Sequence, residues 1–166
     1  MPRVRRCALA LATTLVLIAA PVARAQNGRI DFTLTGGPLL FPAPTATDFA
    51  TGFAPHPTGL TFQVDVANSV HPSTILQTTV SVRGTSPTLG GNGKPLGDLE
   101  WSLGGTGPWA PLTLTDATIE SRTVRRNRMN DPWGNVIQFR MRLAWASDVP
   151  ATYTSGIVVT LTVTGP

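Results

Sequence analysis

Histidines, the side chains that most often do acid–base chemistry, are few in this chain and stand apart. The sequence has two, His56 and His71, and a proline follows each. A residue before proline is biased toward extended or turn backbone, so we expect both in surface loops. No nucleophile with an adjacent base can be located around them, and no zinc-ligand spacing occurs in the sequence. The sequence therefore predicts a non-enzymatic protein without a cofactor or metal.

A pair of carboxylates, Asp98 and Glu100, is the next candidate for chemistry. Two positions apart on a strand, they would project from one face, opposite Leu99 and Trp101. Such a pair is able to bind a cation or to bracket a glycosidic bond. The simpler interpretation, which we adopt, is the solvated face of a strand, because no Asp-rich loop accompanies the pair.

Arginines form the densest group of charges, with Arg122, Arg125, Arg126 and Arg128 within seven positions. Between two predicted strands, this group indicates the tip of a long hairpin. Its guanidinium groups would suit the phosphate, sulfate or carboxylate groups of surface polymers, and Arg125, Arg126 and Arg128 are our candidate ligand residues. A solvated tip that prevents edge-to-edge aggregation is the alternative.

The four tryptophans divide by context. Trp101 and Trp145 fall on the inward phase of predicted strands and are expected in the core. Trp109 and Trp133 lie among Gly, Pro and Asn residues, which predicts turns. A loop tryptophan offers a platform for a sugar ring, so these two complete the candidate ligand site. Burial as plugs at one end of the fold is the alternative for both.

The elements that must position these side chains are strands. Several segments alternate apolar and polar residues with a period of two, as a strand with one buried face requires. Helical periodicity is absent after residue 25, and Gly/Pro clusters separate the segments. We expect an antiparallel immunoglobulin-like β-sandwich of about seven to eight strands, with a closed β-barrel as the alternative. The clearest segments are Arg29 to Thr35, Leu60 to Val66, Leu76 to Val82, Ile137 to Trp145 and Ile157 to Val163.

Two stretches depart from this pattern. Residues 38–59 are rich in proline but keep several large apolar side chains, which predicts an ordered, irregular crossing over the sandwich. Residues 86–95 end at Lys94-Pro95 and contain mostly Gly, Pro and polar residues, so we expect a mobile loop with little to bury.

The first 25 residues have the pattern of an export signal. Arginines at 3, 5 and 6 precede an uncharged apolar stretch, and Ala23-Arg24-Ala25 is a small-x-small cleavage site. We therefore expect a signal peptide over 1–25 and a single mature domain over 26–166, exported to the periplasm, the cell surface or the medium. The only cysteine, Cys7, would leave with the leader. The mature chain would then have no disulfide.

The net charge expected for the mature domain argues against one class of partner, the nucleic acids. The whole chain has a formal net charge of +4, but four of its thirteen basic residues and none of its nine acidic residues lie in the leader. The expected mature domain is balanced, so it lacks the cationic surplus that nucleic-acid binding requires. No later apolar stretch approaches the roughly 20 residues of a membrane span. Self-association or a surface polysaccharide is the expected partnership.

The sequence Val149-Pro-Ala-Thr-Tyr-Thr-Ser-Gly followed by the alternating segment 157–163 resembles the close of secreted bacterial β-sandwich subunits, including pilin-like and spore coat U-like domains. The resemblance covers about fifteen residues and implies an extracellular structural or adhesive subunit, some relatives of which lend a strand to a neighbour. With the last strand central, segment 29–35 would pair within its own sheet or complete that of the next molecule. A carbohydrate-binding module is the alternative function.

Overall fold

The structure, a computed structural model, describes residues 30–66, 75–90, 93–125, 132–148 and 151–164. The described residues are mostly antiparallel strand and form two sheets, as predicted for an all-β sandwich. The leader predicted over 1–25 lies outside them. Within the described ranges, no helix has the length and apolar character needed to cross a membrane.

Each of the five clearest segments predicted from alternation lies largely or wholly within a strand. One helix, α1 (Ala46–Thr51), lies between the first two strands, and a single 3-10 turn (Leu96–Asp98) precedes the fifth. The described strands in chain order are β1 (Ile30–Thr35), β2 (Phe53–Pro55), β3 (Leu60–Val66), β4 (Ile75–Gly84), β5 (Leu99–Leu103), β6 (Ala110–Pro111), β7 (Ala117–Arg125), β8 (Trp133–Arg142) and β9 (Ile157–Thr164).

The strands divide between a larger and a smaller sheet. The first sheet has the order β1-β3-β8-β5-β6, and β2 pairs with β8 beyond the region that β3 covers. The second sheet has the order β7-β4-β9. All strand pairs are antiparallel, and the chain passes repeatedly from one sheet to the other. Consecutive strands therefore often lie in opposite sheets.

The core lies between the sheets and contains the predicted inward side chains. Leu60, Phe62 and Val64 of β3 are buried, as are Phe139 of β8 and Val159 of β9. Since successive side chains of a strand point to opposite faces, a slip of one residue would expose each of these sets and bury its polar neighbours. Apolar alternation thus fixes the register of the central strands.

Sequence periodicity gave no sign of α1, the one short helix of the described residues. Thr45 caps α1: its Oγ1 accepts a hydrogen bond from the Asp48 N–H at 3.2 Å, and Asp48 Oδ2 accepts from the Thr45 N–H at 2.7 Å. Gly52 ends the helix in a left-handed conformation with φ of +79°. A helix of six residues is too short to produce a period of 3.6, so only this reciprocal cap signals it. The predicted crossing over 38–59 is ordered and includes α1 and β2.

Residues 86–90 and 93–95 also differ from the expected loop with little to bury. The Leu89 side chain is fully buried in the core, and Lys94 is only 5 % exposed. The Leu89 N–H donates to the Lys94 carbonyl at 2.8 Å, and the Leu96 N–H donates to the Pro87 carbonyl at 2.9 Å. The described part of this connection is therefore packed against the sandwich, because one leucine and one lysine anchor it.

Candidate functional site

The predicted arginine hairpin is not a hairpin. Strand β7 belongs to the second sheet and β8 to the first, so the connection between them crosses from one sheet to the other. Arg126 and Arg128 lie outside the described residues, as does the side chain of Arg125, the last residue of β7. The hairpin prediction failed because β7 takes β4 as its partner, with Leu76 opposite Val124.

Trp133 is a core residue, and the prediction of a turn was wrong. It is the first residue of β8, only 5 % exposed, and its ring packs edge-on against Phe62 with centroids 5.5 Å apart. The Arg122 guanidinium lies 5.0 Å from the same ring and covers it from β7. A sugar has no face of this indole to stack on, so the plug interpretation fits Trp133.

Trp109 lies in the segment before β6 and is half-buried against a charged cluster. The Arg140 guanidinium lies 4.5 Å from the Trp109 ring and 3.7 Å from the Phe53 ring. Cations over aromatic faces are attracted by the ring quadrupole, so Arg140 binds these two elements to the outer face of the first sheet. One face of Trp109 is thereby occupied by the protein itself.

Glu100 is the anion of this cluster, which corrects the prediction of a solvated strand face. It is directly opposite Arg140 in the β5–β8 ladder and only 5 % exposed. Glu100 Oε2 lies 2.6 Å from Arg140, and Oε1 lies 3.1 Å from Arg142. Asp98 ends the 3-10 turn before β5 and is not part of that strand. The two carboxylates therefore do not share one strand face as predicted.

Trp145 is the tryptophan that the structure leaves exposed, although alternation predicted it in the core. Its exposed fraction is 70 %, and it stacks on Phe49 of α1 with centroids 4.0 Å apart and planes 26° apart. Strand β8 ends at Arg142, after which the Leu143 N–H donates to the Gly52 carbonyl at 2.8 Å. The change of direction beyond Leu143 breaks the period of two that the sequence continues.

His56 is buried, against the expectation of a surface position, while His71 lies outside the described residues. His56 Nδ1 accepts hydrogen bonds from the N–H groups of Gly59 at 2.9 Å and Thr58 at 3.3 Å. Burial lowers the pKa of His56 below its usual value because the charged form loses hydration. The neutral imidazole thus serves as an acceptor that shapes the turn before β3.

Carboxylates also meet elsewhere in the described part of the chain, but in pairs. Groups of three or more His, Cys, Asp or Glu side chains able to hold a metal ion are absent from it. Asp31 and Asp65 are directly opposite in the β1–β3 ladder. Two carboxylates alone supply fewer oxygens than a calcium site uses.

The feature that sequence reasoning missed is a pair of open sheet edges, β1 in the first sheet and β9 in the second. Within the described residues, β9 pairs only with β4 and β1 only with β3. The last strand therefore lies at the edge of its sheet, not at the centre as the strand-lending argument assumed. On each edge some inward apolar residues are only half-buried: Ile30, Phe32 and Leu34 of β1, and Leu161 and Val163 of β9. The other two inward residues of β9, Ile157 and Val159, are buried.

One contact shows where the two sheets meet. Asn135 of β8 donates to Glu120 of β7 at 3.5 Å, which places β7 against β8. Strand β9 is the edge that the second sheet reaches from β7 through β4, and β1 is the edge that the first sheet reaches from β8 through β3.

Comparison with known proteins assigns no family to this architecture. No family model matches the chain, and no curated protein is similar enough to count as a relative.

Proposed function

We propose that this protein is an exported, non-enzymatic structural subunit whose mature form, an immunoglobulin-like sandwich, self-associates by adding a strand of a second copy to β9. The observation that carries the proposal is the composition of β9. Its eight residues, Ile-Val-Val-Thr-Leu-Thr-Val-Thr, contain no charge, proline or glycine. Natural proteins usually protect an edge strand with such residues, because its free N–H and C=O groups are able to pair with another chain.

The opposite edge of the same sheet has the protection that β9 lacks. In β7, Glu120 and Arg122 stand opposite Val80 and Thr78, on the inward face, and are paired with each other at 2.6 Å. The β4–β7 ladder is also irregular between Val80 and Ser81. Inward charges and bulges both prevent edge-to-edge pairing. One sheet thus has a closed edge and an open edge, which favours addition on one side only.

An added strand would also cover apolar residues of β9 that are only half-buried. Leu161 is opposite the buried Val80, and Val163 is opposite the buried Thr78, yet both β9 side chains remain half-buried. In strand addition, backbone hydrogen bonds supply affinity and alternate side chains fill the available apolar space. The pattern of the signal-like leader and the pilin-like ending of the sequence support the same proposal.

A matched pair of substitutions tests it. Leu161→Lys places a charge on the inward, half-buried face of β9, whereas Thr162→Lys places it on the exposed face one position away. We expect Leu161→Lys to weaken self-association at least about tenfold in sedimentation velocity, because an inward charge at an edge opposes pairing. Thr162→Lys should leave association near that of the parent. Equal association of both variants, with unchanged melting temperatures, would contradict the proposal.

Deletion of residues 26–35 identifies the added strand. If β1 of a second copy is the donor, its removal abolishes assembly and also destabilises the domain, because β3 loses its partner. If β9 pairs with β9 of the second copy, assembly persists in the deletion variant. A parent protein that is monomeric at all concentrations would exclude both arrangements.

The carbohydrate-binding alternative is favoured by one observation, the stacked pair Trp145 and Phe49. With Trp145 70 % exposed, this pair offers an aromatic face that Trp109 and Trp133 do not. Titration with soluble cell-wall glycans should quench the parent fluorescence and leave Trp145→Ala unchanged. If quenching is retained in Trp145→Ala but lost in Trp109→Ala, the glycan site lies at Trp109, as the sequence predicted.

A further inference from the structure

The only lysine of the chain is buried. Twelve arginines supply the other permanently charged basic side chains, and Lys94 stands alone between Gly93 and Pro95. Its side chain is 3 % exposed. Lysine is among the residues least often buried in proteins, because an ammonium group loses strong hydration there. A single lysine in such a position calls for a chemical explanation.

Two carboxylates converge on this amine. Lys94 Nζ lies 2.7 Å from Asp148 Oδ1 and 3.0 Å from Asp98 Oδ2. The Asp148 side chain is 12 % exposed and the Asp98 side chain 24 %. The amine is thus in contact with one carboxyl group that is nearly enclosed and a second that retains access to water.

The surroundings hold these groups in place. The Lys94 carbonyl accepts from the Leu89 N–H at 2.8 Å, which fixes the backbone at the lysine. Asp148 Oδ2 accepts from the Ala144 N–H at 2.9 Å, so the second oxygen of this carboxyl group has its own donor. The Tyr153 ring, 1 % exposed, lies 5.9 Å from Nζ and excludes water on that side.

We propose that Lys94 and Asp148 condense within the folded chain to an amide between Nζ and Cγ. The inference is independent of the proposed self-association. An amine and a carboxyl group held in contact react with effective concentrations of about 10⁵–10⁸ M in well-oriented intramolecular cases, which offsets the unfavourable condensation in water. Arginine has no equivalent reaction, and this accounts for a lysine at the one position where the amine meets a buried carboxyl group.

The step balances without a co-reactant. A proton passes from the Nζ ammonium to Asp148 Oδ1, and the neutral amine attacks Cγ. The negative charge that develops on Oδ2 is stabilised by the Ala144 N–H. Asp98 accepts a second proton from Nζ and delivers it to Oδ1, which leaves as water. The ammonium and carboxylate become one amide and one water, and Asp98 ends as it began.

The bond would join two distant connections of the fold. Residues 94 and 148 are 54 positions apart, one between β4 and β5 and the other between β8 and β9. A covalent link of this kind restricts the unfolded chain as a disulfide does. The only cysteine of the sequence is Cys7, so residues 26–166 contain no thiol for a disulfide of their own.

Intact mass measurement of the purified, folded protein is the primary test. We expect a mass one water molecule lower than the mass calculated from the amino-acid sequence of the mature chain. Trypsin should then yield a branched peptide that joins residues 84–122, which contain Lys94, to the peptide that begins at Leu143 and contains Asp148. Loss of water without this branched peptide, or with the link to Asp98, would overturn the assignment.

Variants separate the roles of the two carboxyl groups. Lys94→Arg and Asp148→Ala should each restore the full mass, and Asp98→Asn should slow condensation at least about tenfold, as loss of a general acid–base group does. Asp116→Asn, which alters an exposed carboxylate paired with Arg83, should keep the deficit. A parent protein with the full mass after folding and prolonged incubation overturns the proposal without reference to any variant.

Discussion

Two enclosed charge clusters in this molecule are opposites in composition. On the outer face of the first sheet, one carboxylate, Glu100, meets two guanidinium groups, those of Arg140 and Arg142. Between the strand connections, one amine, Lys94, meets two carboxylates, those of Asp98 and Asp148. The central ion of each cluster is almost completely buried, whereas its partners keep more access to water.

The two clusters are similarly buried, but their cations, guanidinium in one and ammonium in the other, differ in chemistry. Guanidinium is planar, keeps its proton and stacks on aromatic rings, so the Glu100 cluster attaches Phe53 and Trp109 to the sheet. An ammonium group is compact and able to give up a proton, so the Lys94 cluster brings reactive groups together. Similar burial thus supports a structural clamp in one place and a covalent step in the other.

Removal of the central anion should have the largest effect on stability. Glu100→Ala leaves two arginines without their shared carboxylate, and we expect a loss of about 3 kcal/mol in the free energy of unfolding, as for other broken buried pairs. Urea unfolding followed by tryptophan fluorescence measures it. Glu120→Ala is the control, because its partner Arg122 is 47 % exposed, and about 1 kcal/mol or less is expected. Equal losses would show that the Glu100 cluster is not a clamp.

Exchange of the central guanidinium comes next. Arg140→Lys keeps the charge but loses the planar group between Phe53 and Trp109, and a loss of about 1–2 kcal/mol is expected. Arg142→Lys should cost only a few tenths, about 0.3 kcal/mol, because Arg142 is 59 % exposed. The same unfolding experiment distinguishes the two. A larger loss of stability in Arg142→Lys than in Arg140→Lys would show that Arg142, and not Arg140, is the main partner of Glu100.

His56 is a further buried basic group, but it has no ionic partner among its described contacts. Burial lowers its pKa in the folded state, so the unfolded chain binds a proton at higher pH than the folded chain. The free energy of unfolding should therefore fall as pH decreases below the ordinary histidine value of 6.5. His56→Gln should flatten this dependence between neutral and mildly acidic pH, and His71→Gln should retain it. A parent protein with equal stability across that range would contradict the assignment.

The exposed pair Arg83 and Asp116 should have the smallest effect. Their atoms are 3.4 Å apart, and the side chains are 36 % and 53 % exposed. Asp116→Asn should change the free energy of unfolding by less than about 0.5 kcal/mol, because water screens the attraction. Added salt should remove even this difference. A loss as large as that of Glu100→Ala would mean that burial does not separate the clusters from surface pairs.

Much of the fold was predictable from alternation, but less of the candidate site was. Strand β3 has the bounds that the sequence predicted, because Leu60, Phe62 and Val64 alternate with polar residues over its whole length. The same rule placed Trp145 in the core and Glu100 in solvent, and both predictions were wrong. Alternation identifies the two faces of a strand but does not say which loops cover the outer face. Nor does it say where the chain turns away, as it does after Leu143.

Local spacing of residue types was sufficient to define an all-β chain, its longer strands and much of the inward face, because the period of two acts over a few neighbouring residues. The neighbourhood of Lys94, the enclosure of Glu100 and the open edge of β9 were decided only in three dimensions. Each depends on which distant segment lies across from it. The residues near each of these positions do not reveal its distant partner. Strand order and loop packing bring together groups that are 40 or 54 positions apart in the sequence.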